Sequence, residues 1–233
     1  MDDTVDVRVA RAWDRVETAL ARVLPDSVRL LAPPAEPERI VAVESTLGLR
    51  LPPDFRASLL RHDGSLPGTP GPVPLEYLFD TGEIIELTQA WDSDEDPDLD
   101  DPAVIARLID KGVLHVDGPV RPGSSLSDRV VVGTINGDVN WFLDLEPPQG
   151  GTSDQVVRVD MECGQWDVLA PSWTDLLHRY AGDLERFADD PGSSSIRIGD
   201  GLGPDSLWGT SPEYRTSRPE WLRGVEARDP STW

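Results

Sequence analysis

The chain has 233 residues, with 43 acidic against 21 basic side chains and a formal charge of -22. That is the wrong sign for the phosphate backbone, whose binding draws most of its affinity from Lys and Arg, so composition argues against nucleic acid and for a basic partner. A single cysteine, Cys163, excludes an internal disulfide and a cysteine-cluster zinc site, and the only lysine, Lys111, stands outside any phosphate-binding loop motif.

The opening MDDTVD has neither a positive n-region nor an apolar h-region, and no apolar run reaches the length of a membrane span, so the expected compartment is the cytoplasm, without membrane insertion. From about Val5 to Leu24, Val9, Trp13, Val16, Leu20 and Val23 recur at helical spacing, and Pro25 ends that helix. Leu31 to Pro37 reads as a connector. A short helix follows from Glu38, with Ile40, Val41, Val43, Glu44 and Leu47 on its stripe and Gly48 as its left-handed cap. Pro52 and Pro53 suit the start of the next helix, Asp54 favours its positive end, Phe55, Leu59 and Leu60 form its apolar stripe, and His62, Asp63 and Gly64 stop it.

Beyond the Pro/Gly loop SLPGTPGPVP, a short strand is expected over Leu75 to Phe79 and a short helix over Glu83 to Trp91. The acidic run DSDEDPDLDD, from Asp92 to Asp101, precedes a brief helix over Ala103 to Ile109 and a strand over Gly112 to Val116. Val130 to Ile135 and Val139 to Leu145 flank Asn136-Gly137, a pair suited to a two-residue hairpin turn. The second arm alternates Val139, Trp141, Leu143 and Leu145 against Asn140, Phe142 and Asp144, which supports the hairpin. With Gln155 to Met161 and Trp166 to Leu169, three or four antiparallel strands are expected. Pro171 and Ser172 open a last helix carrying Trp173, Leu176, Leu177, Tyr180, Leu184 and Phe187 on one face. From Asp189 the chain turns rich in Gly, Pro, Ser and Asp, predicting a largely irregular tail that Trp208, Tyr214, Trp221 and Trp233 could dock onto a surface. The division is therefore residues 1–188 as one domain and 189–233 as the tail.

Two stretches carry a family resemblance. Glu44-x-x-Leu47-Gly48, then Leu51-Pro52-x-Asp54-Phe55-Arg56 and a helix ending in a polar residue plus glycine, resembles the SUKH superfamily of fungal cell-wall-synthesis regulators and bacterial relatives. The later stretch VVGTINGDVNWFLDLEPPQGGTSDQVVRVD, followed by DVLAPSWTDLL, is similar to the bacterial pattern of glycine-turn hairpin, L-D-L strand end, Q-V strand and A-P-S-[WF] helix. The W-x-P-I segment that often precedes the hairpin in this family has no tryptophan or proline in its place at Arg129 to Val132. The resemblance covers roughly Val5 to Phe187. It implies an α+β fold with helices packed on one antiparallel sheet, and a protein-binding role: bacterial members include immunity proteins that neutralise toxins, and fungal members act as signalling scaffolds.

Candidate chemistry is sparse. Counted as a calcium loop from Asp92, the acidic run places Asp94 and Asp96 correctly, but Pro97 replaces the required glycine and Ala103 the final glutamate, so no metal is expected. His62, His115 and His178 are too far apart for a local zinc motif, and each has a structural reading: a helix C-terminus, an alternating strand and the margin of an apolar helix face. Cys163 reads as a buried or inert thiol in a turn, and Asp144 either as a site carboxylate or as a partner of backbone groups in the following turn. Gly199, Gly201 and Gly203 imitate a dinucleotide loop, but Pro204 stands in for its last glycine. The expectation is a non-enzymatic, cofactor-free protein-binding module, an immunity protein that occludes a toxin, with a regulatory scaffold of a signalling or cell-wall pathway as the alternative. Its partner surface is expected at Trp91, Asp92, Asp94, Glu95, Asp96 and Asp98, where carboxylates steer a basic protein and an aromatic ring supplies the dry contact.

Overall fold

The computed structural model describes residues 4–68, 77–92, 101–123, 128–135 and 137–190. Helix α1 (Val5–Val23) buries Val9, Ala12, Trp13, Val16, Ala19 and Leu20 along one stripe. Pro25 does more than end it: with no N–H to satisfy, it opens the single-turn helix α2 (Pro25–Val28). Helix α3 (Pro37–Leu47) closes at Gly48, whose φ of 68° is the left-handed conformation that glycine adopts without steric cost. Helix α4 (Pro53–Leu59) follows after a short connector. Two apolar residues of the predicted stripes face solvent instead. Val41 points away from the core on α3, and Leu60 falls at the C-cap of α4, one position beyond its last turn.

The remaining elements are β1 (Tyr77–Leu78), α5 (Thr81–Asp92), α6 (Pro102–Asp110), β2 (His115–Asp117), β3 (Arg129–Ile135), β4 (Val139–Asp144), β5 (Gln155–Asp160), β6 (Gln165–Ala170) and α7 (Trp173–Asp189). Among the described residues this makes an α+β fold of seven helices and one six-stranded sheet in the order β1-β3-β4-β5-β6-β2. The four central strands form an antiparallel meander, β1 adds antiparallel to β3, and β2 adds parallel to β6. The sheet is thus larger than the expected three or four strands, and its far edge is parallel because the chain crosses over through later elements before β6 is laid beside β2.

Every residue of β4 is buried. Strand residues point alternately to opposite faces, so burial of both Trp141 and Phe142 requires cover on both sides. On the Phe142 side that cover includes α5, whose Trp91 meets Phe142 edge-on with ring centroids 5.1 Å apart. Helix α7 packs on β5 and β6, and α1 packs on α7 and α4. Arg15 pairs with Glu185 and Arg22 with Asp189, so α1 and α7 run in the same direction. The tryptophans Trp13, Trp141, Trp166 and Trp173 are all core residues, as their spacing predicts.

Candidate protein-binding surface

The polar residues of the two motif stretches are structural locks. Glu44, buried on α3, accepts from the Leu51 backbone N–H at 3.1 Å and pairs with Arg56 at 2.6 Å, fixing the α3–α4 corner. Burial pushes its carboxyl up, but Arg56, the Leu51 N–H and Arg50 outweigh burial and hold it below the usual glutamate range. Asp54 reaches the N-terminus of α7, where its Oδ2 accepts from the Thr174 backbone N–H at 2.9 Å and from Thr174 Oγ1 at 3.1 Å. Ser58 Oγ accepts from two buried indoles, Trp13 Nε1 and Trp173 Nε1, each at 2.9 Å, and so ties α1, α4 and α7 at one atom. The sequence signal for these roles was a polar residue placed among apolar helix positions; its partners, as distant as residue 174, were not legible.

The same logic seats α5. Asp63, just past α4, accepts from the backbone N–H and Oγ1 of Thr81 and pairs with Arg39 at 2.9 Å. Asp80 Oδ1 accepts from the N–H groups of Gly82 and Glu83, while Glu83 Oε2 accepts from the Asp80 N–H at 2.9 Å, a reciprocal capping box. Held at its N-terminus, α5 ends at Trp91 and Asp92. Trp91 is half-buried, with its ring committed edge-on to Phe142 and part of its surface open. Asp92 is the last helical residue. Asp94, Glu95, Asp96 and Asp98, and the side chain of Asp92, lie outside the described residues, as does the tail from residue 191. The chain resumes at Asp101, whose Oδ1 caps α6 by accepting from the Ala103 N–H at 2.8 Å. The acidic segment therefore joins the end of α5 to the capped start of α6.

The other singled-out side chains do not converge. His62 bridges the connector and α1, His115 lies exposed on the edge strand β2, and His178 sits on α7 beside Arg15. Cys163 is exposed in the β5–β6 turn, not buried; Asp160 above all, then slight burial and Glu162, push its thiol up, away from the reactive thiolate. Asp144 is fully buried and does not serve the turn that follows: its Oδ2 accepts from Gln155 Nε2 at 3.0 Å, and its Oδ1 lies 3.6 Å from Arg129 Nε. Burial pushes that carboxyl up, only partly offset by Arg129 and Gln155, and with no exposed surface it faces the sheet core and not an accessible site. Among the described residues, no cluster of three or more His, Cys, Asp or Glu is arranged to hold a metal, and no helix is long and apolar enough to cross a membrane.

A family model described as SMI1 / KNR4 family (SUKH-1) matches residues 34–179, more than half of the chain and both motif stretches. The chain belongs to this family. The SUKH-1 match begins after α1 and α2 and runs into α7, so the helix that carries Trp13 precedes the matched stretch yet shares its core. Membership supports a protein-binding, immunity-type module in general, and the family is generally non-catalytic. No individual curated protein matches the chain significantly.

Proposed function

We propose that this chain is a SUKH immunity protein that neutralises a toxin by occluding it, with residues 1–188 as the binding domain, 189–233 as an appended tail, and the cytoplasm as its place of action. The partner surface runs from Trp91 through Asp92, Asp94, Glu95, Asp96 and Asp98, and the partner is a basic protein domain. The supporting observation is electrostatic. Among the described residues ten arginines pair with carboxylates of the same chain, which spends much of the cationic charge internally. The excess of negative charge is thereby left to the outside, and an acidic segment following α5 is a means of steering encounter with a basic partner. Trp91 supplies an aromatic anchor at the rim of that segment.

Co-expression with each protein encoded beside this one tests the role. Rescue from a lethal neighbour supports immunity, and the absence of any toxic neighbour favours a regulatory scaffold instead. For a partner found this way, replacing Asp92, Asp94, Asp96 and Asp98 by Asn and Glu95 by Gln lowers the association rate and flattens its dependence on salt. Unchanged rates remove the segment from the mechanism.

A further inference from the structure

Exposed large apolar side chains are few among the described residues, and two of the three most exposed lie at one end of the sheet, Val113 at 58% and Met161 at 51%. Met161 opens the four-residue turn between β5 and β6, whose ends are pinned by the pairing of Asp160 with Gln165. Val113 leads into β2 and abuts that turn: a Cβ placed on Gly164 would lie 2.5 Å from the Val113 carbonyl oxygen, so the two loops meet at backbone level. The Met161 backbone N–H donates to the Asp138 carbonyl oxygen at 3.0 Å, which brings the β3–β4 turn alongside. These loops carry the exposed carboxylates Asp110, Asp138 and Glu162, against a single exposed cation, Lys111. The result is an apolar patch with an acidic rim.

The chain itself holds a segment of the opposite make-up. Acids outnumber bases 43 to 21 overall, yet residues 214–228, YRTSRPEWLRGVEAR, carry Arg215, Arg218, Arg223 and Arg228 against only Glu220 and Glu226, with Tyr214, Trp221 and Leu222 interspersed. Aromatic rings and guanidinium groups are the side chains that best serve a contact with an apolar centre and a charged rim. Val41, the remaining strongly exposed apolar residue, fits this segment poorly. Its groove has Arg50 at the rim, with a side chain 90% exposed, and that guanidinium repels the same arginines.

We propose that residues 214–228 dock on this end of the sheet, with the rings of Tyr214 and Trp221 against Val113 and Met161 and the arginines facing Asp110, Asp138 and Glu162. The connection is long enough. Residues 191–213 are rich in Gly, Pro and Ser, a composition whose r.m.s. span is roughly 25–30 Å over that length, against a radius of gyration of roughly 16 Å for a body of about 190 residues. Tethering at that distance gives an effective concentration of about 1 mM, so a contact with an intrinsic dissociation constant of only about 0.1 mM is occupied about nine-tenths of the time. Docking there also shields β2, an end strand of the sheet that begins at His115, two residues beyond Val113, where an open edge invites pairing with other chains. The contact does not rest on the partner reading above and holds whatever the outside partner is.

The full chain has two methionines, Met1 and Met161, so carbon-13 labelling of methionine methyl groups gives a two-signal spectrum in which Met161 reports on the patch. In the parent, the Met161 methyl is displaced upfield by ring current and shows cross-relaxation to indole protons. Tyr214→Ala with Trp221→Ala returns it to the position of a solvent-exposed methionine, and so does replacing Arg215, Arg218, Arg223 and Arg228 by Glu. Raising NaCl from about 0.05 M to about 0.5 M shortens the Debye length about threefold and shrinks the displacement by about half or more. Amide signals of β4, recorded alongside, stay in place and show that the body of the protein is intact in each variant. A Met161 methyl that is indifferent to the aromatic or the charge-reversed variant overturns the proposal. So does a displacement that grows with protein concentration, which would place the contact between two copies.

Discussion

Removing one oxygen atom, in Ser58→Ala, tests the claim that motif polar residues are locks. The hydroxyl has two lone pairs, and two indole N–H groups, those of Trp13 and Trp173, occupy them at 2.9 Å each. Ser58 is 3% exposed and the two tryptophans 1% and 2%, so water cannot replace the lost acceptor. Each orphaned buried donor costs about 1–3 kcal/mol, and the pair about 2–5 kcal/mol because neighbouring terms do not add fully. For a folded body of this size that corresponds to a fall in Tm of roughly 5–15 °C. Urea unfolding, with the slope m compared between variants, measures it. The cost shrinks by about half when Ser58→Ala is made in a Trp173→Phe background, where one donor is already gone. A loss below about 0.5 kcal/mol, or an undiminished loss in the Trp173→Phe background, would refute the shared-acceptor reasoning.

Three further outcomes are expected. Glu44 has a carboxyl held below its usual value of 4.5, so its contribution is fully present above that value and is lost as pH falls through the lower folded-state value. Urea unfolding between pH 3 and 7 therefore shows a shallower acid limb in Glu44→Gln than in the parent. Gly48 and Gly64 both have positive φ, yet a side chain at Gly48 meets open space, whereas one at Gly64 lies 2.7 Å from the Leu78 carbonyl oxygen and the Asp80 nitrogen. Gly48→Ala then costs about 1 kcal/mol and Gly64→Ala about 3 kcal/mol or more by the same unfolding assay, and equal costs would count against the close approach. Asp63→Asn weakens the seat of α5 by removing its charge-assisted bond to Arg39, which appears as faster amide exchange across α5 with β3 and β4 unchanged.

A surface that works by contact leaves little chemical signature in a sequence. What the chain offers is charge, and the structure shows how that charge is divided: arginines such as Arg56, Arg61 and Arg129 are turned inward or sideways to carboxylates of the same chain, while Asp110, Asp138 and Glu162 are exposed. The same division explains why the motif acids give no clue to a partner. Glu44, Asp54 and Asp63 are consumed in joining α3 to α4, α4 to α7, and the end of α4 to α5.

Local periodicity sufficed for the helices, because an apolar stripe such as Val9, Trp13, Val16 and Leu20 must find a core wherever that core lies, and because proline and glycine fix helix ends through their own backbone chemistry. It also sufficed for the family and for the β3–β4 hairpin, whose signals lie within a few residues of one another. It could not reveal that both faces of β4 are covered, that β2 joins β6 in parallel, or that Asp144 faces Arg129 in the core, since each depends on elements brought together from distant parts of the chain.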